Sequence, residues 1–76
     1  MITTEEIRAK LVAAFPDADI RVVDTTGTFD HFDVVVVTPA FAGLPRIRQH
    51  QRVYEALGDD MKVRIHALAL KTSAPA

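Results

Sequence analysis

Residues 31–39, HFDVVVVTP, leave this chain fewer conformational choices than any other stretch. Val34 to Thr38 are five consecutive strand formers. Each is branched at Cβ, which disfavours a helix and suits a pleated surface. Alternation places Phe32, Val34 and Val36 on one face and leaves Asp33 as an outward member of the strand. Pro39, with no N–H for a ladder, closes it. A lone strand is not stable in water, so neighbours must come from the rest of the chain. DIRVVD, residues 19–24, is the first: Ile20 and Val22 share a face and Arg21 lies opposite. Between the two runs, TTGTFDH contributes one glycine and short polar side chains. That predicts a hairpin whose loop is mobile and longer than a tight turn.

Helix signals flank these strands. Thr3 with Glu6 three residues on has the form of a capping box, and Ile2 and Ile7 stand where a hydrophobic staple needs them. Ile7, Leu11, Ala14 and Phe15 then recur at helical spacing, with Glu5, Arg8 and Lys10 facing outward and Pro16–Asp17 ending the element. After Pro39, AFAGL reads as a connector, and Pro45 suits the first turn of a second helix. Ile47, Val53, Tyr54 and Leu57 line one side of that helix and His50 falls within the same arc. Arg48, Arg52 and Glu55 lie outside it, and Gly58 provides the stop. VRIHALALK, residues 63–71, alternates as a third strand, and TSAPA, residues 72–76, reads as a frayed tail. The expectation is one domain over residues 1–76, an α+β layer in the order helix, strand, strand, helix, strand, with both helices covering one face of a three-stranded sheet.

Composition narrows the chemistry. Of 76 residues, 49% are apolar and 25% charged, the balance of a globular domain. There is no cysteine. Disulfides, thiolate nucleophiles and all-cysteine metal sites are therefore excluded, and a metal here takes histidine, carboxylate or a partner's sulfur. No apolar run approaches the length of a membrane-spanning helix, and MITTEEIRAK lacks the basic and apolar regions of a signal peptide, so a cytoplasmic address is expected. The net charge of −1 is too small to drive non-specific nucleic-acid binding by itself. Its distribution is uneven: residues 1–44 hold three basic and seven acidic side chains, whereas residues 45–76 hold six basic and three acidic.

Catalysis has little to stand on. Asp24, Asp30 and Asp33 are carboxylates, yet acid–base work needs a water-excluding pocket that so small a core rarely encloses. Ser73 is the single serine and sits near the end of the chain, which argues against a Ser-His-Asp arrangement. The chain reads as a non-enzyme. The histidines are the only soft ligands: His31 at the loop exit, His50 on the second helix, and His66 in the third strand on the face of Arg64 and Leu68. Each also has a plain structural reading, as a solvated loop residue, a packed helix residue and a half-buried strand residue respectively, and their spacings match no metal motif. Arg46, Arg48 and Arg52 form a basic helical edge suited to nucleic acid or to an acidic protein. The second glycine of the G-x-x-G loop by which KH domains grip a nucleic-acid backbone is missing after Gly43.

Taken in order, the string from Val22 to Thr72 resembles the BolA family. The resemblance is carried by the aspartate-containing loop before HFDVVVV, the F-x-G of Phe41 and Gly43, H-x-x-V-Y-x-A-L from His50 to Leu57, and I-H-A-L from Ile65 to Leu68. It implies a KH-like (class II type) α+β domain that partners a monothiol glutaredoxin. Members share a two-iron, two-sulfur cluster across that heterodimer, with sulfur and glutathione supplied by the partner, and act in iron–sulfur cluster trafficking or iron regulation. By position, His66 is the implied principal ligand and His31 the second, His31 matching a loop position that holds histidine or cysteine in the family. An imidazole is a neutral donor, so its exchange for thiolate alters the charge and potential of such a cluster. His50 stays a structural or partner-contact residue, and Arg46, Arg48, Arg52, Lys62 and Arg64 are implied partner or nucleic-acid contacts. The isolated chain is expected to be a monomer or weak homodimer holding no cofactor. The family's other reading is a DNA-binding transcriptional regulator. Gln49 and Gln51, where relatives commonly carry basic residues beside the helix histidine, weaken that alternative.

Overall fold

A computed structural model describes residues 2–25, 27, 31–58 and 67–75. Within them the chain forms α1 (Thr4–Ala14), β1 (Asp19–Asp24), β2 (His31–Val37), a short 3-10 turn (Pro39–Phe41), α2 (Arg46–Leu57) and β3 (Ala67–Ser73). The expected order and α+β class are met.

Local chemistry explains the first elements. Thr3 caps α1, its hydroxyl accepting from the Glu6 N–H at 3.1 Å, and the staple pair Ile2 and Ile7 is fully buried. The Phe15 N–H donates to the Leu11 carbonyl at 2.7 Å and ends the helix. β1 and β2 pair antiparallel, Asp24 opposite Phe32 and Asp19 opposite Val37. β2 then pairs parallel with β3, giving the order β1-β2-β3. Parallel strands need a long crossover, and α2 supplies it.

The sheet has one covered face. Ile20, Phe32, Val34 and Val36 turn inward and pack with Ile7 and Leu11 of α1 and Val53 and Leu57 of α2. Arg21, Val23, Asp33 and Ala69 lie on the other face and are exposed. Phe41 of the 3-10 turn is buried and meets Phe15 edge-on, ring centroids 5.3 Å apart, a favourable geometry for aromatic pairs. Thr38, also buried, fixes this turn by accepting from the Ala40 N–H at 3.2 Å. Burial of large side chains such as these stabilises by roughly 1.5–3 kcal/mol each.

Several expectations need correction. Ile47 and Tyr54 do not line the buried side of α2: they are 68% and 40% exposed. The buried side is Val53 and Leu57, flanked by half-buried Ala56 and His50. Ala14 is exposed rather than part of the inward stripe of α1. His31 is the first residue of β2 rather than part of the loop. Thr72 and Ser73, expected to fray, continue β3 opposite Val36 and Val37, and the Thr38 N–H donates to the Ser73 carbonyl at 3.0 Å. The proposed start of the third strand, residues 63–66, lies outside the described residues.

Candidate functional site

His31 occupies the corner where β2 emerges from the hairpin loop. Its carbonyl accepts from the Thr25 N–H at 3.0 Å and from the Thr25 hydroxyl at 3.2 Å, so the chain is tied on both sides of the loop. Below that tie, the Asp24 carboxylate accepts from the Gly27 N–H at 3.1 Å. Gly27 has φ +75°, a left-handed conformation that costs glycine little. The result is a fixed backbone presenting an exposed imidazole. An open hollow of about 230 Å³ lies here, lined by Thr25, His31, Phe32, Asp33, Leu68 and Ala69.

The parallel register sets His31 opposite Ala67. In the sequence Ala67 is preceded by His66, the other implied cluster ligand, which lies outside the described residues, as do Lys62 and Arg64. Adjacent Cα atoms are joined at about 3.8 Å. Chain connectivity therefore ties His66 to the residue directly across from His31. Among the described residues no three histidine or carboxylate groups come together as a metal site. Among the described residues His31 is thus a single exposed imidazole at the sheet corner, a donor that can serve a metal only together with others.

The remaining candidates lie on α2 and separate into two places. Arg48 and Arg52 are exposed and border a hollow of about 350 Å³ shared with Leu44, Pro45, Gln51 and Glu55. Arg46 and His50, one helical turn apart, instead line a groove of about 470 Å³ with Leu70, Lys71, Thr72 and Ser73 of β3. The basic edge inferred from the helix is thus two patches. The His50 ring meets Tyr54 edge-on at a centroid distance of 6.4 Å. Its Nε2 is buried without a hydrogen-bond partner among the described residues, as is the Thr72 hydroxyl. Thr72 and Lys71 are residues that sequence reasoning missed as site members. Gln49 spans the connector, its Nε2 donating to the Leu44 carbonyl at 2.8 Å, which accounts for a half-buried glutamine beside His50.

Comparison with known proteins accords with this architecture. A family model described as BolA-like protein matches residues 11–76. The DNA-binding transcriptional regulator BolA of Escherichia coli (strain K12) is 35% identical over 79 residues, covering 95% of this chain and 75% of that protein. Protein BOLA2 of Arabidopsis thaliana is 35% identical over 72 residues, covering 93% of this chain and 76% of its own length. Among solved structures, a bolA protein homologue from Coxiella burnetii superposes with a TM-score of 0.76 at 39% identity, covering 99% of this chain and 94% of that one. BolA1 from Arabidopsis thaliana reaches a TM-score of 0.86 at 22% identity over 99% and 95% of the two chains, a likeness of fold. With the sequence match spanning all but the first residues and the sheet order and helix placement agreeing, this chain belongs to the BolA family.

Proposed function

We propose that this protein is a non-catalytic accessory factor that pairs with a monothiol glutaredoxin and helps hold a shared two-iron, two-sulfur cluster through His31 and His66, in cluster trafficking or iron regulation. The observation that carries this reading is the β2–β3 register, which sets exposed His31 against the residue that follows His66. Chain connectivity keeps His66 one residue away from that pairing position. With no cysteine in the chain, every thiolate must come from the partner, which makes the complex the functional unit and its loading reversible. When bound, such a cluster supplies electron transfer and sulfur–iron cargo, its potential tuned by imidazole ligation. The chain's own part is to orient donors and leave one side open to a second protein.

The test is reconstitution with a monothiol glutaredoxin, iron, sulfide and glutathione, followed by visible absorption and circular dichroism. A spectrum distinct from that of the glutaredoxin homodimer is expected, changed strongly by His66→Ala and less by His31→Ala. Homodimer spectra alone, whatever the ratio of the two proteins, overturn the reading.

A second reading, DNA-binding regulation, is favoured by the name of the Escherichia coli relative and by the exposed Arg48 and Arg52 side by side on α2. Affinity for duplex DNA measured against salt checks it: contacts from these arginines give a steep negative slope that shallows by about one unit per arginine removed.

A further inference from the structure

The groove between α2 and β3 shares no residue with the His31 corner or with the hollow beside Arg48 and Arg52. Arg46 and His50 form one wall, and Leu70 to Ser73 the other. Two polar atoms on opposite walls, His50 Nε2 and Thr72 Oγ1, are buried and lack a hydrogen-bond partner among the described residues. Buried polar atoms are paired in nearly all folded proteins, and each exception asks for a ligand or a water. The remaining polar lining is cationic, from exposed Arg46 and Lys71, or hydroxylic, from Ser73, and among the described residues no carboxylate lines the groove.

We infer that the α2–β3 groove is a binding site for a phosphate group, held between His50 and Thr72 and neutralised by Arg46 and Lys71. The chemistry selects an oxyanion over the alternatives. An imidazole with its proton on Nε2, a threonine hydroxyl, a guanidinium and an ammonium are all donors, and only an acceptor with several oxygens meets them together. A cation is repelled by the two positive side chains. A neutral ligand or a single water can meet the orphan atoms, but leaves the charges unanswered. The space is many times the roughly 30 Å³ that one water occupies in the liquid. Arginine also offers phosphate a bidentate fork. Pro45, at the N-cap of α2, brings no side-chain acceptor to the helix start beside Arg46, so no carboxylate of the cap competes with the anion.

The experiment is a titration with inorganic phosphate against sodium chloride at matched ionic strength, followed by amide and imidazole NMR signals and by thermal melting. Saturable shifts at His50 and residues 70–73 are expected with phosphate, together with a rise in melting temperature that chloride does not reproduce. Thr72→Val keeps the shape of the side chain and removes the hydroxyl, and Arg46→Gln acts at an exposed position. Each should weaken phosphate at least fivefold while leaving the unliganded melt within a few degrees of the parent. A nucleoside monophosphate and a short DNA duplex distinguish the source: competition by the monophosphate assigns a small free phosphate. Saturation by the duplex alone, lost in both variants, assigns the phosphate of a nucleic-acid backbone. Shifts that chloride reproduces, or that survive both substitutions, overturn the site and leave the two atoms to ordered water. None of these outcomes depends on a glutaredoxin, so failure here and failure of the cluster reading remain separate.

Discussion

His31 and His50 carry the same ring to opposite fates. His31 begins a strand, with its backbone fixed by two bonds from Thr25 and its side chain exposed. His50 sits in a helix, half-buried, edge-on to Tyr54, with one nitrogen enclosed and unpaired. An exposed ring on a fixed backbone is accessible to an incoming metal. An enclosed ring contributes packing first, and its spare nitrogen serves only what fits the groove. Residue type sets what chemistry is available, and the depth of the site decides which part of it is used.

Substitutions can break or sharpen this contrast. The largest effect is expected from Phe41→Ala, which empties a fully enclosed site in the core that the sheet and both helices share. A loss of about 3–5 kcal/mol in urea unfolding is expected, and since a domain of this length commands only about 4–11 kcal/mol, both histidine environments should collapse together. If the amide spectrum around His31 survives that change, the two regions are less coupled than the common core indicates. Next, His50→Ala should lower stability by about 1–2 kcal/mol through lost packing against Tyr54, a fall in melting temperature of several degrees, while the spectrum of a reconstituted glutaredoxin complex stays as it was. Gly27→Ala, at φ +75° with nothing near its Cβ to clash, should cost about 1 kcal/mol from backbone strain alone, and its NMR perturbations should stay at the His31 corner. His31→Ala comes last. Its melt should move by less than the equivalent of about 0.5 kcal/mol, as for most exposed positions, although the cluster spectrum changes. A large stability loss there, or a changed spectrum for His50→Ala, would reverse the roles assigned to the two rings.

Much of the fold was legible because it is governed by neighbours in sequence. The alternation of Phe32, Val34 and Val36, the Thr3 cap and the Ile2–Ile7 staple all act within a few residues, and all appear where the sequence places them. The exposure of Ile47 is not legible from a helical wheel, which gives angles but not the position of the sheet, and the inward direction runs through Val53 and Leu57. The polar side chains of Thr72 and Ser73 suggest a tail, whereas their place in β3 is secured by backbone pairing, including the Thr38 bond to Ser73. The division of the α2 arginines, and the meeting of His50 and Thr72 in one groove, depend on how α2 lies across β3. No local pattern encodes that distance.

The parallel pairing of β2 with β3 also governs when these sites come into being. β1 and β2 are joined by a short loop and can zip together as soon as both are synthesised, but Ala67 meets His31 only after some three dozen intervening residues have folded back. Closing that longer circuit is slower, since distant contacts must overcome the entropy of the loop before they are rewarded. Both the His31 corner and the α2–β3 groove take one wall from β3. An unfinished or misfolded chain would therefore display neither, and any partner that recognises them is, in effect, inspecting a completed product.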